Sequence, residues 1–220
     1  MMGAPGLKIG LFGGTFNPVH RGHMEVAETA LAEAGLDRVL FIPSADPPHK
    51  SGDIAGFAHR VRMLEIACSS RNEFSCCTIE ERLAKPSYTI DTLKEMIGDD
   101  RLGHSYYFVI GADAFLEIQS WKSYREILSY VHILLSKRVG VSELMLKKLL
   151  TSLGYTRHRE VWQGARFKTV RILKKIPKGF SSSEIRAASK SLTITSELDP
   201  EVMAYIRKKG LYIPQREKNG

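Results

Sequence analysis

Cysteine is scarce. Cys68, Cys76 and Cys77 make an odd number, two of them adjacent, with no C-x-x-C spacing. That argues against a small secreted scaffold and reads as free thiols in a reducing compartment. Long apolar runs are missing too. VLFI at 39–42 is far short of the ~20 residues a membrane span needs. The opening MMGAPGLKIGLFGG has neither a basic n-region nor a long apolar core, so no signal peptide is expected. Counted from Met2, the myristoylation pattern fails at Leu7. These features predict a soluble cytoplasmic protein with no membrane partner. There is no internal repeat and no low-complexity tract. Acidic residues are the minority, 24 against 32 Lys and Arg, for a net charge of +8. An excess of that kind suits an anionic partner, whether nucleic acid, acidic membrane or phosphorylated metabolite, and composition does not choose among them.

What is present is ordinary globular composition, 43% hydrophobic and 25% charged over 220 residues. A chain this long buries about 70% of its unfolded surface without a disulfide or metal staple. β-rich runs at 7–12, 38–42, 74–78, 105–110, 131–135 and 169–173 alternate with helical patterns at 22–34, 57–69, 89–98, 112–119, 123–130 and 142–153. The runs at 39–42 and 131–135 are nearly continuous in apolar residues, as strands covered on both faces should be. The alternation predicts an α/β fold, a Rossmann-like doubly wound parallel sheet. Two short helices follow, SSSEIRAASK at 181–190 and DPEVMAYIRKKG at 199–210, the second with Asp199 as N-cap, Pro200 at N1 and Gly210 past its end. The expected organisation is one domain over 1–215, with a core at 7–178, a C-terminal helical segment at 179–212 and a frayed tail at 213–220. Residues 154–168 show no clear period and are not assigned to an element.

The most informative stretch is GLFGGTFNPVHRGHMEVAETAL at 10–31. A strand runs into Gly13-Gly14, a turn, and then a helix. In open α/β sheets such a helix start favours phosphate. Neither a Walker A loop nor G-x-G-x-x-G is present, which excludes a P-loop kinase or GTPase and a standard dinucleotide fingerprint. Instead His20, Gly22 and His23 form H-x-G-H. A chain of this composition would show that pattern by chance roughly 0.02 times. His20 and His23 share the first helical turn, where backbone N–H groups also face a ligand. Gly22 leaves room for close approach of a phosphate.

GGTFNPVHRGH resembles the signature of the nucleotidyltransferase superfamily. IPSADPPHK (42–50), SYTIDTL (87–93), FVIGADAFLEIQSWKSYREIL (108–128), FSSSEIR (180–186) and VMAYIRKKGLY (202–212) are similar to one branch of it, bacterial nicotinate-nucleotide adenylyltransferase. The resemblance implies transfer of AMP from ATP to nicotinate mononucleotide, giving deamido-NAD and pyrophosphate without a covalent intermediate. It implies an ATP site built from Gly13, Gly14, Thr15, Phe16, His20, Gly22, His23, Gly111, Asp113, Ser181, Ser182, Ser183 and Arg186. His20 and His23 would be catalytic, with His23 nearest the α-phosphate. It places the mononucleotide against His49, Lys50, Ser87, Tyr88, Thr89 and Trp121, with Trp121 stacked on the pyridine ring and Thr89 capping helix 89–98 near the nicotinate carboxylate. Mg2+ would arrive bound to ATP, without protein metal ligands. Next to phosphate charges, both histidine pKa values should rise.

Each of these segments also has a plainer reading. Ser181 and Glu184 suit a capping box, Asp113 a helix cap, Pro47-Pro48 an exposed turn and Trp121 a core aromatic. The chain departs from the family at Lys137-Arg138-Val139-Gly140, where Arg-Pro-Gly is frequent, and at Asn17, where Asp is frequent. Two alternatives remain at this point: a transferase for another phosphorylated acceptor such as phosphopantetheine, and a nucleotide- or RNA-binding protein without catalysis. Basic residues are not interleaved with aromatics in an RNA-recognition pattern, which argues against a nucleic-acid partner. The oligomeric state stays open, a homo-oligomer included. Much of the +8 lies in 137–175 and 207–218, outside every motif.

Overall fold

The β-rich runs of the sequence form strands, and their alternating side chains divide the core in two. The computed structural model describes residues 6–46, 54–98, 100–138, 140–177, 181–190 (backbone only at 188–190) and 196–212. Pro47, Pro48, His49, Lys50, Phe180 and the tail at 213–220 lie outside these residues. Strands β1 (Lys8–Gly14), β2 (Arg38–Pro43), β3 (Phe74–Cys76), β4 (Ser105–Gly111) and β5 (His132–Ser136) run parallel in the order β3-β2-β1-β4-β5. The helices are α1 (Arg21–Ala34), α2 (Phe57–Cys68), α3 (Thr89–Ile97), α4 (Ala112–Leu116), α5 (Tyr124–Tyr130), α6 (Glu143–Ser152), α7 (Ser182–Lys190) and α8 (Pro200–Lys209).

In β5, Ile133 and Leu135 join a cluster with Leu93 of α3, Ile127 of α5 and Leu146 of α6. Leu134, one residue out of phase, joins the opposite cluster with Ala27 of α1, Met63 of α2, Ile185 of α7 and Val202 of α8. That period of two, covered on both sides, is why the strand reads as continuously apolar. Each fully buried side chain of this size contributes about 1.5–3 kcal/mol. The last helix starts and stops as its sequence predicts. Asp199 accepts from the Glu201 backbone N–H at 2.8 Å, and Gly210 takes a left-handed conformation at φ 59°. The three cysteines are free, and burial pushes the Cys68 and Cys76 thiols up to about 12, so neither is a thiolate at neutral pH. Among the described residues, no helix is long and apolar enough to cross a membrane.

Two elements differ from the sequence expectation. The helix expected over 112–119 ends at Leu116 and resumes as a 3-10 turn over Ile118–Ser120. Phe115 and Ile118 are both fully buried, and a 3-10 turn aligns residues three apart more closely than an α-helix does. The unassigned stretch 154–168 forms a hairpin. Strands β6 (Tyr155–His158) and β7 (Val161–Gly164) are antiparallel, and β7 pairs antiparallel with β8 (Val170–Ile172), which itself runs parallel to β5. The sheet is therefore mostly parallel with an antiparallel edge, in the order β3-β2-β1-β4-β5-β8-β7-β6. Of the hairpin only Tyr155 and Trp162 are buried, so no alternating pattern marks it. Its connection, Arg159-Glu160, lacks the Asn or Gly that flags such turns, although Arg159 adopts φ 55°.

Candidate active site

The strand order reverses between β1 and β4. The chain leaves β1 for α1 on one face and leaves β4 for α4 on the other, opening a crevice at the carboxyl ends, where Gly13-Gly14 and Gly111 lie. The loop from Thr15 to Val19 crosses one side of it. Phe16 takes a left-handed conformation, φ 49°, a strained state of about 1–3 kcal/mol for a bulky residue. Packing holds it there. The ring is 2% exposed and stands edge-on to Phe12 (5.5 Å), Phe41 (5.7 Å) and His23 (5.0 Å). The side chain of Phe16 is thus a support beneath His23.

The backbone of this loop is held by donors from distant elements. Arg60, 1% exposed on α2, donates to the carbonyls of Thr15 (2.9 Å) and Ala55 (3.0 Å). Arg186 of α7 donates to the Asn17 carbonyl (2.8 Å), and the Ser182 hydroxyl to that of Pro18 (3.2 Å). Asn17 Oδ1 accepts from the Tyr212 hydroxyl (2.7 Å) and the Ala55 N–H (3.0 Å). Sequence reasoning missed Arg60 and gave Tyr212 no role. The signal for Arg60 was present: a charge three and four residues before the buried Met63 and Leu64, on the apolar face of α2.

H-x-G-H straddles the start of α1. His20 is the N-cap and His23 sits at N3, where its Nδ1 accepts the His20 backbone N–H at 3.3 Å. This fixes the proton of a neutral His23 on Nε2, a donor suited to an anion. The two ring centroids are 3.8 Å apart. A Cβ on Gly22 would meet the His20 ring at 3.1 Å, so the glycine makes room first for His20 itself. His20 Nδ1 is buried with no hydrogen-bond partner. Burial, and then the Arg138 guanidinium, push the His20 pKa down to about 4. Without phosphate the shift thus runs opposite to the rise expected with phosphate bound, and His20 is neutral at neutral pH.

The serine-rich signature serves both of its readings. Glu184 accepts from the Ser181 hydroxyl and backbone N–H, each at 2.7 Å, which is a capping box. Ser182 and Arg186 meanwhile reach the loop that leads to His20, so the start of α7 lies beside the start of α1. Arg186 also donates to the Ser183 hydroxyl at 3.3 Å. Across the crevice, Asp113 in the first turn of α4 is 3.6 Å from Arg138, both half exposed. A Cβ on Gly111 would fall 2.3 Å from the Asp113 carboxylate, so a larger residue there would displace that carboxylate from its present position. Arg138 therefore joins the site through Asp113 and the field it exerts on His20. The sequence showed it only as part of a departure from the family pattern.

A second group of expected residues gathers on the β4 side. Trp121 is half-buried, with its ring edge-on to Phe108 at 6.4 Å, and the Phe108 ring lies 3.4 Å from where a Gly13 Cβ would be. Ser87 is 7% exposed and its hydroxyl is buried without a partner. The cap of α3 is Tyr88, not Thr89, and no side chain bonds the free N–H groups there. Thr89 fills the first helical position instead. Lys122 spans the two segments, 4.5 Å above the Tyr88 ring and 2.9 Å from Asp91. Buried Glu80 accepts from Thr92 of α3 (3.0 Å) and from the Ala45 N–H (3.1 Å), and the neighbouring Ser44 N–H donates to the Gly14 carbonyl (2.8 Å). Among the described residues no cluster of three or more His, Cys, Asp or Glu could hold a metal.

A family model described as cytidylyltransferase-like matches residues 11–188. A protein of Desulfotalea psychrophila named probable nicotinate-nucleotide adenylyltransferase is 44% identical over 93% of this chain and 99% of its own length. A protein of Carboxydothermus hydrogenoformans with the same name is 39% identical over 94% of this chain and 98% of its own. The structure of Plasmodium falciparum nicotinic acid mononucleotide adenylyltransferase complexed with NaAD superposes with a TM-score of 0.69. It covers 94% of this chain and 97% of that one at 19% identity, and so shares the fold.

Proposed function

Because the chain belongs to the nicotinate-nucleotide adenylyltransferases, within the cytidylyltransferase-like family, we propose that it joins the AMP part of ATP to nicotinate mononucleotide, in the assembly of NAD. One observation carries this reading. The His20–His23 pair and the Ser182–Arg186 segment, far apart in sequence, meet on the same loop at the switch point of the sheet.

A mononucleotide phosphate oxygen attacks the α-phosphorus of ATP in line. The bond from that phosphorus to the bridging oxygen breaks, and the electron pair leaves with pyrophosphate. The attacking phosphate has a second pKa of about 6 and is already largely dianionic, so no strong base is needed. The barrier is electrostatic, and positioning with preorganised donors lowers it. His23 donates from Nε2 to the α-phosphate. His20, held neutral in the free protein, gains a proton as the triphosphate brings negative charge beside it. Arg186 and the hydroxyls of Ser181 to Ser183 take the β- and γ-phosphates, with Arg138 nearby. The magnesium ion is part of the Mg·ATP substrate. Asp113, in the first turn of α4, is engaged with Arg138, and among the described residues no group of three or more His, Cys, Asp or Glu forms a cage for an ion.

On the other side Trp121 stacks on the pyridine ring. Ser87, the uncapped start of α3 and Lys122 favour a carboxylate over an amide there, since the helix end and the ammonium are both positive. His49 and Lys50, which lie outside the described residues, hold the mononucleotide phosphate. The direct test supplies Mg·ATP with nicotinate mononucleotide, nicotinamide mononucleotide or phosphopantetheine and follows pyrophosphate. Turnover should be fastest with nicotinate mononucleotide, and no turnover with either pyridine nucleotide overturns the proposal.

A further inference from the structure

We propose a second anion site, remote from the crevice, in which the β6–β7 hairpin and β8 bind an oligophosphate such as inorganic triphosphate or the phosphate chain of a nucleotide. Three observations lead to it. The first is coverage. Tyr155 and Trp162 face the core on the α6 side, with Val170. The residues out of phase with them, His158, Val161, Gln163 and Arg171, face the other way, and His158 and Gln163 are exposed there. Glu33, at the end of α1, reaches in: its backbone carbonyl accepts from Arg171, and its carboxylate accepts from the Lys174 and Lys175 backbone N–H groups.

The second is shape. A shallow cleft of about 670 Å3 opens there, lined by Arg159, Arg171, His158 and Gln163, with Glu160 and Val161, and by Arg157, which belongs to the Trp162 face and reaches the cleft around the hairpin end, where it meets the Arg159 carbonyl. A volume of this size is in the range of small-molecule sites. The third is charge. Residues 154–175 carry seven Lys or Arg against the single carboxylate of Glu160, so this stretch alone supplies +6 of the chain's +8. Glu160 is already paired with Lys174 at 2.6 Å.

Guanidinium forks bind phosphate oxygens two at a time, and three in one cleft suit adjacent phosphates rather than a single one. Phe, Tyr and Trp are absent from the lining, so the phosphates rather than a base or sugar would be read. The turn is preset. Arg157 Nε donates to the Arg159 carbonyl at 3.0 Å, and Arg159 holds φ 55°. A second copy of this chain does not fit the face, because a two-fold contact would set these guanidinium groups against each other. His20 caps one end of α1 and Glu33 lies at the other, so the cleft is about 20 Å from the catalytic pair at 1.5 Å per helical residue.

The test uses inorganic triphosphate as probe and the His158 ring resonances as a local reporter, distinct from those of His20 and His23. In the wild type the His158 signals should shift and saturate. In Arg157→Gln/Arg159→Asn, whose asparagine tolerates the left-handed turn, affinity at His158 should fall at least tenfold while adenylyl transfer with low, fixed Mg·ATP is unchanged. Equal affinity in wild type and variant overturns the proposal. So does orthophosphate binding as tightly as triphosphate, which would mean diffuse attraction only. A single-stranded RNA oligomer that displaces triphosphate at a tenfold lower concentration would instead make the face a nucleic-acid surface, and the oligophosphate assignment would be wrong. The readout at His158 does not depend on turnover, so failure here leaves the adenylyltransferase reading intact.

Discussion

At the phosphate end of the crevice, the loop from Thr15 to Pro18 has its polar groups taken up by the protein: the carbonyls of Thr15, Asn17 and Pro18 and the side chain of Asn17 all accept hydrogen bonds from other elements. At the mononucleotide end the reverse holds. Helix α3 begins without a side-chain cap, the Ser87 hydroxyl is buried unpaired, Tyr88 is 37% exposed, and Lys122 sits in an exposed ion pair. The backbone of the first end is held in place by hydrogen bonds within the protein, without any ligand. The second leaves the Ser87 hydroxyl and the start of α3 without side-chain partners, open to a substrate on the proposed reading. Preorganisation should govern rate at one end and selectivity at the other.

The largest effect should come from His23. His23→Ala removes a donor aimed at developing charge and should lower kcat by about 10²–10³, with little change in KM for the mononucleotide. Near-normal kcat in a pyrophosphate-release assay would refute the role given to this ring.

Next is the clamp. Arg60→Leu removes the donor of the partly buried Thr15 and Ala55 carbonyls, at up to about 1–3 kcal/mol each. Urea denaturation should show a lower midpoint at unchanged m-value, and kcat should fall although Arg60 touches no substrate. A shift below about 0.5 kcal/mol would mean that the loop holds its shape without the clamp.

His20 links the same end to pH. Its folded pKa is depressed to about 4 from the ordinary 6.5, so the neutral form is the one the fold favours. Its contribution to stability is in place above about pH 6.5 and is lost as pH falls from there through 4. Arg138→Gln removes one cause of the depression and should move the His20 titration upward, and added ATP should move it further. An unchanged His20 titration in both experiments, followed by ring-proton resonances, would break the link.

How much of this was legible before the fold was known depends on what fixes each part. The central strands and α1 were, because burial on both faces writes itself into VLFI and into the spacing of Val26, Ala27 and Ala30. H-x-G-H and SSSEIR were visible as patterns, but not that they share a loop, since Arg186 and Asn17 are brought together only by the sheet topology. Gly22 was read as space for a phosphate, and the structure adds a second reason for it, the His20 ring 3.1 Å from where its Cβ would stand. Thr89 looked like a helix cap by residue type, yet Tyr88 takes the cap position and Thr89 is the first helical residue. Arg138 stayed hidden because Asp113 and His20, the groups it lies near, are far from it in sequence, which no local pattern records. The β6–β7 hairpin was illegible for a plainer reason: a strand with one buried residue and otherwise mostly polar, exposed ones has no hydrophobic period.

At the mononucleotide end, Trp121→Ala should raise KM for the mononucleotide roughly tenfold, since stacking of a base on an aromatic ring contributes about 1–3 kcal/mol. KM for ATP should stay within about twofold. An equal loss for ATP would show that the tryptophan shapes the whole crevice through Phe108 rather than one side of it.

The smallest effect concerns Lys122. Its ammonium is about half exposed and already shared with Asp91 and the Tyr88 ring, so solvent screening keeps its contribution to about 0–1 kcal/mol. If it adds positive charge where the nicotinate carboxylate lies, Lys122→Ala should narrow the preference for nicotinate over nicotinamide mononucleotide by about two- to fivefold, entirely through the acid. Lys122→Arg should restore most of it, and added salt should erase the difference between wild type and variant. If the ratio of kcat/KM values for acid and amide is the same in Lys122→Ala as in the wild type at low salt, discrimination rests on Ser87 and the α3 backbone alone, groups whose geometry no charge substitution at the surface would alter.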